Sequence, residues 1–534
     1  MRYIVKIIVF RNQFFLMSFF IFKIFNIYIL MKVYDDKEKE NVISMNTSHR
    51  EEGFKSEKTL IHVSKAEDSN KQERKKLYEE SSDRWFVLVS FCFCIFSNGF
   101  QFVTFAPISH DFSVHYNTSL WKINMFSLIY MIIYPFAFIL EGWFIDKKGI
   151  KLGLNIASAF TLAGSFFKIF VNKDKTLSTC YIGQILSGLA RPALLNSPGK
   201  IAGKWFSEDK RTMICSICCL SDVSGILVGF LWNLAYIKEN STKEDFEEQI
   251  FRYLLSQFIL VIILCIPALF VEKDIPDLPP SPSQSKSNLK TLSLGKSLKM
   301  LFSNKRYIFL LISTFFFVGY YYSMATTINN LLNLYRITNK QSTYIYGLSS
   351  FIGIISSVII SFFLDKIKRF KLFMIFLCVA GILFQVFLTF LLELVESKGL
   401  NAYAIGMVFY SLINATVLPF YTIEMNYACE ITYPVGESIN GGFIMCMTQI
   451  FGIIGTFLFD SCITNNKDKP WITNVILLIF FIFAFVFVFC LNEKLDRSEI
   501  DIGGRLKEEQ EKKVQIKESE NEQVKQINVE VKQN

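Results

Sequence analysis

The chain has 534 residues, of which 51% are hydrophobic and 16% aromatic, with 56 Phe; a soluble protein of this length is more polar and divides into several smaller cores. The net charge of +9 does not mark a nucleic-acid binder, because the Lys and Arg sit in tails and in turns between apolar runs. No Gly-rich nucleotide loop, zinc motif or hydrolase elbow is present to make an enzyme, and nothing calls for a cofactor.

Residues 1–34 are apolar but broken by Lys6, Arg11 and Lys23. A signal anchor, an interfacial segment and an extra helix all fit this stretch. The charged stretch up to residue 84 is expected to be disordered and cytosolic, completing an N-terminal extension over 1–84. Apolar runs of membrane length then follow near 85–106, 121–144, 152–171, 177–198, 213–236 and 251–271. They predict a first six-helix bundle over 85–271. The Pro- and Ser-rich PDLPPSPSQS lies in a cytosolic linker over 272–306. Part of that linker, 289–302, reads either as an amphipathic helix on the inner leaflet or as plain solvated chain. A second bundle, 307–491, has runs near 307–334, 343–364, 372–394, 403–427, 439–462 and 471–491. The tail, 492–534, is rich in Lys, Glu and Gln and is expected to be disordered in the cytosol.

Lys147, Lys148, Lys151, Lys200, Lys204, Lys210, Arg211, Lys366, Lys368, Arg369 and Lys371 all fall in even-to-odd turns. The opposite loops carry far fewer, so both tails are predicted to be cytosolic, with the plasma membrane as the default location. Sequons at Asn117 and Asn240 fall on the outer side, whereas the one at Asn46 falls inside. The 12 Cys are scattered, mostly within apolar runs, as buried free thiols. Cys215, Cys218 and Cys219 share a helix face, where small residues line a helix contact more readily than they bind a metal. His110 and His115 read as ordinary loop histidines, with contact to an iron porphyrin as the alternative.

Two short pieces organise the whole chain. Residues 142–151 read GWFIDKKGIK, and residues 362–371 read FFLDKIKRFK. Their aspartates, Asp146 and Asp365, are 219 positions apart (365 − 146), which sets one half of the hydrophobic region over the other. The first piece resembles the loop between the second and third helices of major facilitator transporters, and the second is a weaker copy. The expected fold is therefore an all-α membrane protein, a major facilitator with twelve transmembrane helices in two six-helix bundles. Asp146, Lys147, Lys148 and Asp365 are expected to latch the inner side. Glu430 and Glu437, which flank the turn before the eleventh helix, are expected to make gating contacts with the basic turns.

One face of the fourth helix carries Gln184, Ser187 and Arg191, at i, i+3 and i+7. An Arg at this depth needs a wet cavity or an acid, and Asp222 and Glu424 are both possible partners. Residues 183–206, GQILSGLARPALLNSPGKIAGKWF, resemble the feline leukaemia virus subgroup C receptor-related transporters. So do 429–457, CEITYPVGESINGGFIMCMTQIFGIIGTF, together with NGFQ at 98–101 and YYSMATTIN at 321–329. The resemblance spans about 84–491.

It implies choline or ethanolamine transport, with haem export as an alternative. It further implies an aromatic clamp between Phe102, where the family has Trp, and Tyr322, with Tyr321 nearby, and a Gln at Gln449. Where the family has another Gln, this chain has Arg191. An aromatic clamp suits a quaternary ammonium, which cannot donate a hydrogen bond. Paired with Asp222, Arg191 leaves room for a choline-like cation; unpaired, it favours an anion such as a haem propionate. The expected activity is alternating-access transport of a small molecule by a monomer in the lipid bilayer, with no nucleic acid and no cofactor. A non-transporting membrane receptor is the rival from another class.

Overall fold

The computed structural model describes residues 81–510, apart from 174–176, 238–241, 289–291, 399–400, 466–468, 470, 505 and 507–509. Expectations for residues 1–80 and 511–534, and for the sequons at Asn46 and Asn240, lie outside the described residues. The described chain is helical, without strands. In the first half, α1 is Arg84–Phe102, α2 Leu120–Lys148, α3 Ile150–Lys168, α4 Ser178–Leu195, α5 Arg211–Tyr236 and α6 Lys243–Cys265. In the second half, α7 is Lys305–Phe317 continued beyond Val318 by Gly319–Asn333, and α8 is Asn339–Ile367. The remaining helices are α9 Phe370–Lys398, α10 Ala402–Ile431, α11 Glu437–Asn465 and α12 Trp471–Phe489.

Among the described residues, 11 of these helices are long and apolar enough to cross a membrane. The remaining one is α4, with 18 residues that include Gln184, Ser187 and Arg191. After Asn196 and Ser197 it is prolonged by the short helix Pro198–Trp205. Its polarity is concentrated on the face turned inward, where Gln184, Ser187 and Arg191 are all buried. α6 begins eight residues before the expected start. Thr242 caps it by accepting from the Asp245 N–H, and Glu244 and Asp245 sit in its first turn, so a charged end forms helix beyond the apolar run.

Within the first half α1 packs along α5 and α3 along α4; in the second, α8 packs along α10 and α7 against α11. The halves meet where α2 lies on α11 and α5 on α8. The apolar windows of α1 and α5 are 83% buried, against 33% for α9 and α12. The former therefore form the centre, and the latter carry apolar side chains such as Leu372, Phe376, Phe390 and Phe489 outward to lipid. At α1 and α5 the backbones come so close that a Cβ on Gly99 would stand 2.5 Å from the Asp222 carbonyl oxygen. Gly149, with φ +102°, makes the turn from α2 to α3 in a conformation open to glycine. The carboxylate of Asp274 fills the space beside it and accepts from the Lys151 N–H at 2.7 Å.

One expectation is corrected. The segment after α12 is not wholly a mobile tail, because residues 496–504 are helical and Arg497 and Asp501 are buried. Their charges are matched by partners in both halves, described below. Of the 12 cysteines, ten are buried, Cys462 is half-buried and Cys490, just after α12, is exposed.

Candidate functional site

At the centre α1, α4, α5 and α7 bring four predicted residues together. The Arg191 guanidinium donates to both carboxylate oxygens of Asp222, each at 3.0 Å, and both residues are fully buried. Asp222 rather than Glu424 is thus the partner. Glu424 lies elsewhere on α10 and accepts from the Thr314 hydroxyl at 2.5 Å. The same guanidinium sits over the Phe102 ring at 4.8 Å and the Tyr322 ring at 5.9 Å. Tyr322 donates to Asp222 at 3.3 Å, and its ring is 6.5 Å from that of Phe102. Phe102 and Tyr322 thus meet around a cation, and that cation belongs to the protein. A desolvated cation on an aromatic face is worth about 2 kcal/mol.

A buried ion pair seldom stabilises a fold relative to apolar side chains of the same volume, whereas removal of one partner costs roughly 3–5 kcal/mol. In a membrane-embedded centre, such a pair is a candidate functional position by default. Sequence reasoning missed the residues that hold it. Asn98 accepts from Arg191 at 3.3 Å and donates to the Ser187 carbonyl at 2.8 Å. Gln101 accepts from Lys168 and from Ser187, each at 2.9 Å. Tyr130 packs against Phe102, with ring centres 5.5 Å apart. Asn98 and Gln101 were visible as the polar ends of NGFQ; Lys168 and Tyr130 carried no comparable signal.

The other predicted residues stand at different distances from this centre. Tyr321 turns toward α8, where it meets Ser350 at 3.3 Å and stacks on Tyr346, so of these two tyrosines it is Tyr322 that faces the guanidinium. Gln184 is buried on the Arg191 face, and among the described residues neither end of its amide has a protein partner. Gln449 touches Thr448 at 3.4 Å, and among the described residues its amide oxygen has no protein partner. Its neighbour one turn on, Gly452, lies against Tyr322 and Met131. Of the two histidines, His115 stacks on Phe246 at 4.0 Å with Nδ1 2.7 Å from the Asp111 carbonyl, and the His110 side chain lies outside the described residues.

The two repeat aspartates form a second constellation. Asp146, near the end of α2, accepts from the Ser438 and Ile439 N–H groups at 3.3 and 3.2 Å. It thus caps α11 of the other half, and Lys200 reaches it at 3.1 Å. Asp365, near the end of α8, accepts from the Thr212 and Met213 N–H groups at 3.1 and 2.8 Å. It caps α5 of the first half. Each half thus places a carboxylate on the positive end of a helix in the other half. Among the described residues Lys147 and Lys148 make no ion pair with Asp146: both are exposed, and Lys147 lies over the Trp143 ring at 4.9 Å, one turn back along α2. Lys200, which arrives from the short helix after α4, takes the place expected for them.

Beside the latch lies a buried charge cluster. Arg211 is 3.5 Å from Glu430 and 3.3 Å from Asp501. Arg497 donates to Glu437 at 3.0 Å, and Asp501 accepts from the linker Ser283 N–H at 2.7 Å. Both glutamates thus meet basic residues, but those of Glu437 come from the tail. Burial and the nearby Lys200 ammonium push the Lys204 ammonium below its ordinary pKa. At the rim burial works to raise the Asp496 carboxyl, but hydrogen bonds from Lys494 and Arg306 hold it below its ordinary range.

The family profile described as "Major Facilitator Superfamily" matches residues 87–401. The chain belongs to the Major Facilitator Superfamily. It is similar to the choline/ethanolamine transporter FLVCR1 of Felis catus, 26% identical over 79% of this chain and 75% of that one. It is likewise similar to the choline/ethanolamine transporter FLVCR2 of Homo sapiens, at 25% identity over 81% and 82%. An uncharacterised MFS-type transporter of Caenorhabditis elegans, C09D4.1, is 26% identical over 78% and 70%. The chain is thus an FLVCR-like member of the superfamily. Its fold matches that of FucP, a Major Facilitator Superfamily transporter in the outward conformation, with TM-score 0.55 at 14% identity, covering 76% of this chain and all of that one. This Major Facilitator Superfamily chain is a multi-pass membrane transporter with the alternating-access fold.

Proposed function

We propose that this protein carries small ammonium compounds of the choline and ethanolamine class across a membrane. The observation that carries the reading is the Arg191 guanidinium held on Phe102 and Tyr322 against Asp222. The centre is already built to hold a positive charge with aromatic faces and one carboxylate. The names of its FLVCR1 and FLVCR2 relatives point to the same class. Phe102, Tyr322, Asp222 and Arg191 contact the substrate, while Gln184, Gln449 and Tyr321 form the wall of the site. The two bundles rock about this midplane centre, and the caps made by Asp146 and Asp365 break and re-form on the inner side. Glu430 and Glu437 act with Arg211 and Arg497 in the same closure. The protein works as a monomer, with both tails in the cytosol, in the plasma membrane, and does no covalent chemistry. A haem or other anion reading needs an uncompensated Arg191, and Asp222 beside it removes that support.

The test is uptake of radiolabelled choline and ethanolamine into proteoliposomes holding the full chain. Saturable flux that falls at least tenfold in Tyr322→Ala is expected. Absence of flux for any ammonium compound would turn the reading toward a membrane receptor.

A further inference from the structure

We infer that Arg191 makes this carrier selective for ammonium compounds that also bear an acidic group, zwitterions whose two charges are a few bonds apart. The inference rests on the carrier reading above and shifts its preferred substrate from the bare ammonium cation to the zwitterion.

The clamp is filled by the protein's own guanidinium, so an incoming ammonium must displace Arg191 to reach Phe102, Tyr322 and Asp222. Charge counting then separates the ligands. Arg191 and Asp222 together are neutral, and both are fully buried. A bare cation in the clamp pairs with Asp222 and leaves the displaced guanidinium as an unmatched buried charge, which is costly. A zwitterion splits the pair one for one: its ammonium takes Asp222 and the aromatic faces, its carboxylate takes Arg191, and the centre stays neutral.

The hydrogen-bonding groups give an independent reason. Among the described residues Arg191 Nε is buried without a protein partner, and so are both ends of the Gln184 amide on the same face of α4. Such groups accept the cost of burial only where something meets them. A quaternary ammonium offers neither donor nor acceptor. A carboxylate can accept from Arg191 Nε or from the Gln184 amide N–H, and an Arg fork binds carboxylates with two parallel bonds. The selectivity therefore lies in Arg191.

The experiment compares glycine betaine, the zwitterion probe, with choline, the cation probe. Binding is read from the thermal shift of the purified full chain and flux from proteoliposome uptake. Wild type is expected to bind and carry glycine betaine at least tenfold better than choline. Arg191→Gln should invert that order, and Arg191→Lys, which keeps the charge, should keep it. Because Arg191→Gln strands Asp222, the double variant Arg191→Gln/Asp222→Asn, which removes both charges, provides the second arm and should lose the preference for the zwitterion. Wild type that carries choline and ignores glycine betaine, or a ratio unchanged in the double variant, overturns the inference and leaves the carrier reading standing. Wild type that neither binds nor carries either probe overturns both.

Discussion

Asp146 and Asp365 perform the same task from opposite halves: each spreads its two carboxylate oxygens over two consecutive backbone N–H groups at the start of a helix in the other half. The repeat in the sequence is thus a reciprocal pair of caps across the interface. Because the caps are separate contacts, they are expected to weaken independently. Asp146→Asn removes a charge-assisted acceptor worth about 1 kcal/mol from the α11 terminus. Hydrogen exchange should then quicken severalfold at Ser438 and Ile439 and stay unchanged at Thr212 and Met213. Asp365→Asn should give the opposite pattern. A response at both termini in either variant would mean that the caps act as one unit.

Removing everything after residue 495 is expected to destabilise the protein, because Arg211, Glu430 and Glu437 lose the buried partners that Arg497, Ser498 and Asp501 supply. Loss of one partner from a buried pair costs roughly 3–5 kcal/mol. The thermal midpoint of the purified protein should drop by several degrees, and ending the chain instead at residue 510 should leave it where it is. An unchanged midpoint after removal of everything beyond residue 495 would restore the picture of a dispensable tail.

Gly99→Ala places a methyl 2.5 Å from the Asp222 carbonyl oxygen and 2.6 Å from its carboxylate. Helix α1 must then move away from α5, an overpacking cost of about 1–3 kcal/mol. The same change at Gly295, which has no atom within 4 Å of the added carbon, provides the control. Folded yield and thermal midpoint should fall for the first and hold or rise slightly for the second.

Lys168 is buried and bonded to the neutral Gln101, and among the described residues no ion pair is found for it. Lys168→Met keeps the stem and deletes a charge that is expensive to bury, while Gln101 keeps its bond from Ser187. The thermal midpoint is expected to stay or rise. A large fall would show that the ammonium is held by more than Gln101.

The membrane spans could be read because an apolar run of bilayer length has few other fates, and the repeat could be read because a buried cap needs an Asp at the same place in each half. The pairing at the centre was only half legible. Arg191 announced the need for an acid, but Asp222 and Glu424 lie at similar depth in sequence, and only the crossing of α1, α4 and α5 brings the first within reach. The latch cation was misassigned for a related reason. Lys147 and Lys148 adjoin Asp146 in the chain, but helical geometry turns Lys147 back over Trp143, and Lys200 arrives from another helix. The tail misled through composition alone, since charged residues read as solvated until their buried counter-charges are known.

The distribution of thiols gives the protein a built-in reporter. With ten of the cysteines buried and Cys490 exposed, a water-soluble maleimide dye should label the unmodified chain at Cys490, seven residues before Arg497. Opening of the inner closure should then be visible as a change in the fluorescence of that dye, without first stripping the chain of its natural cysteines.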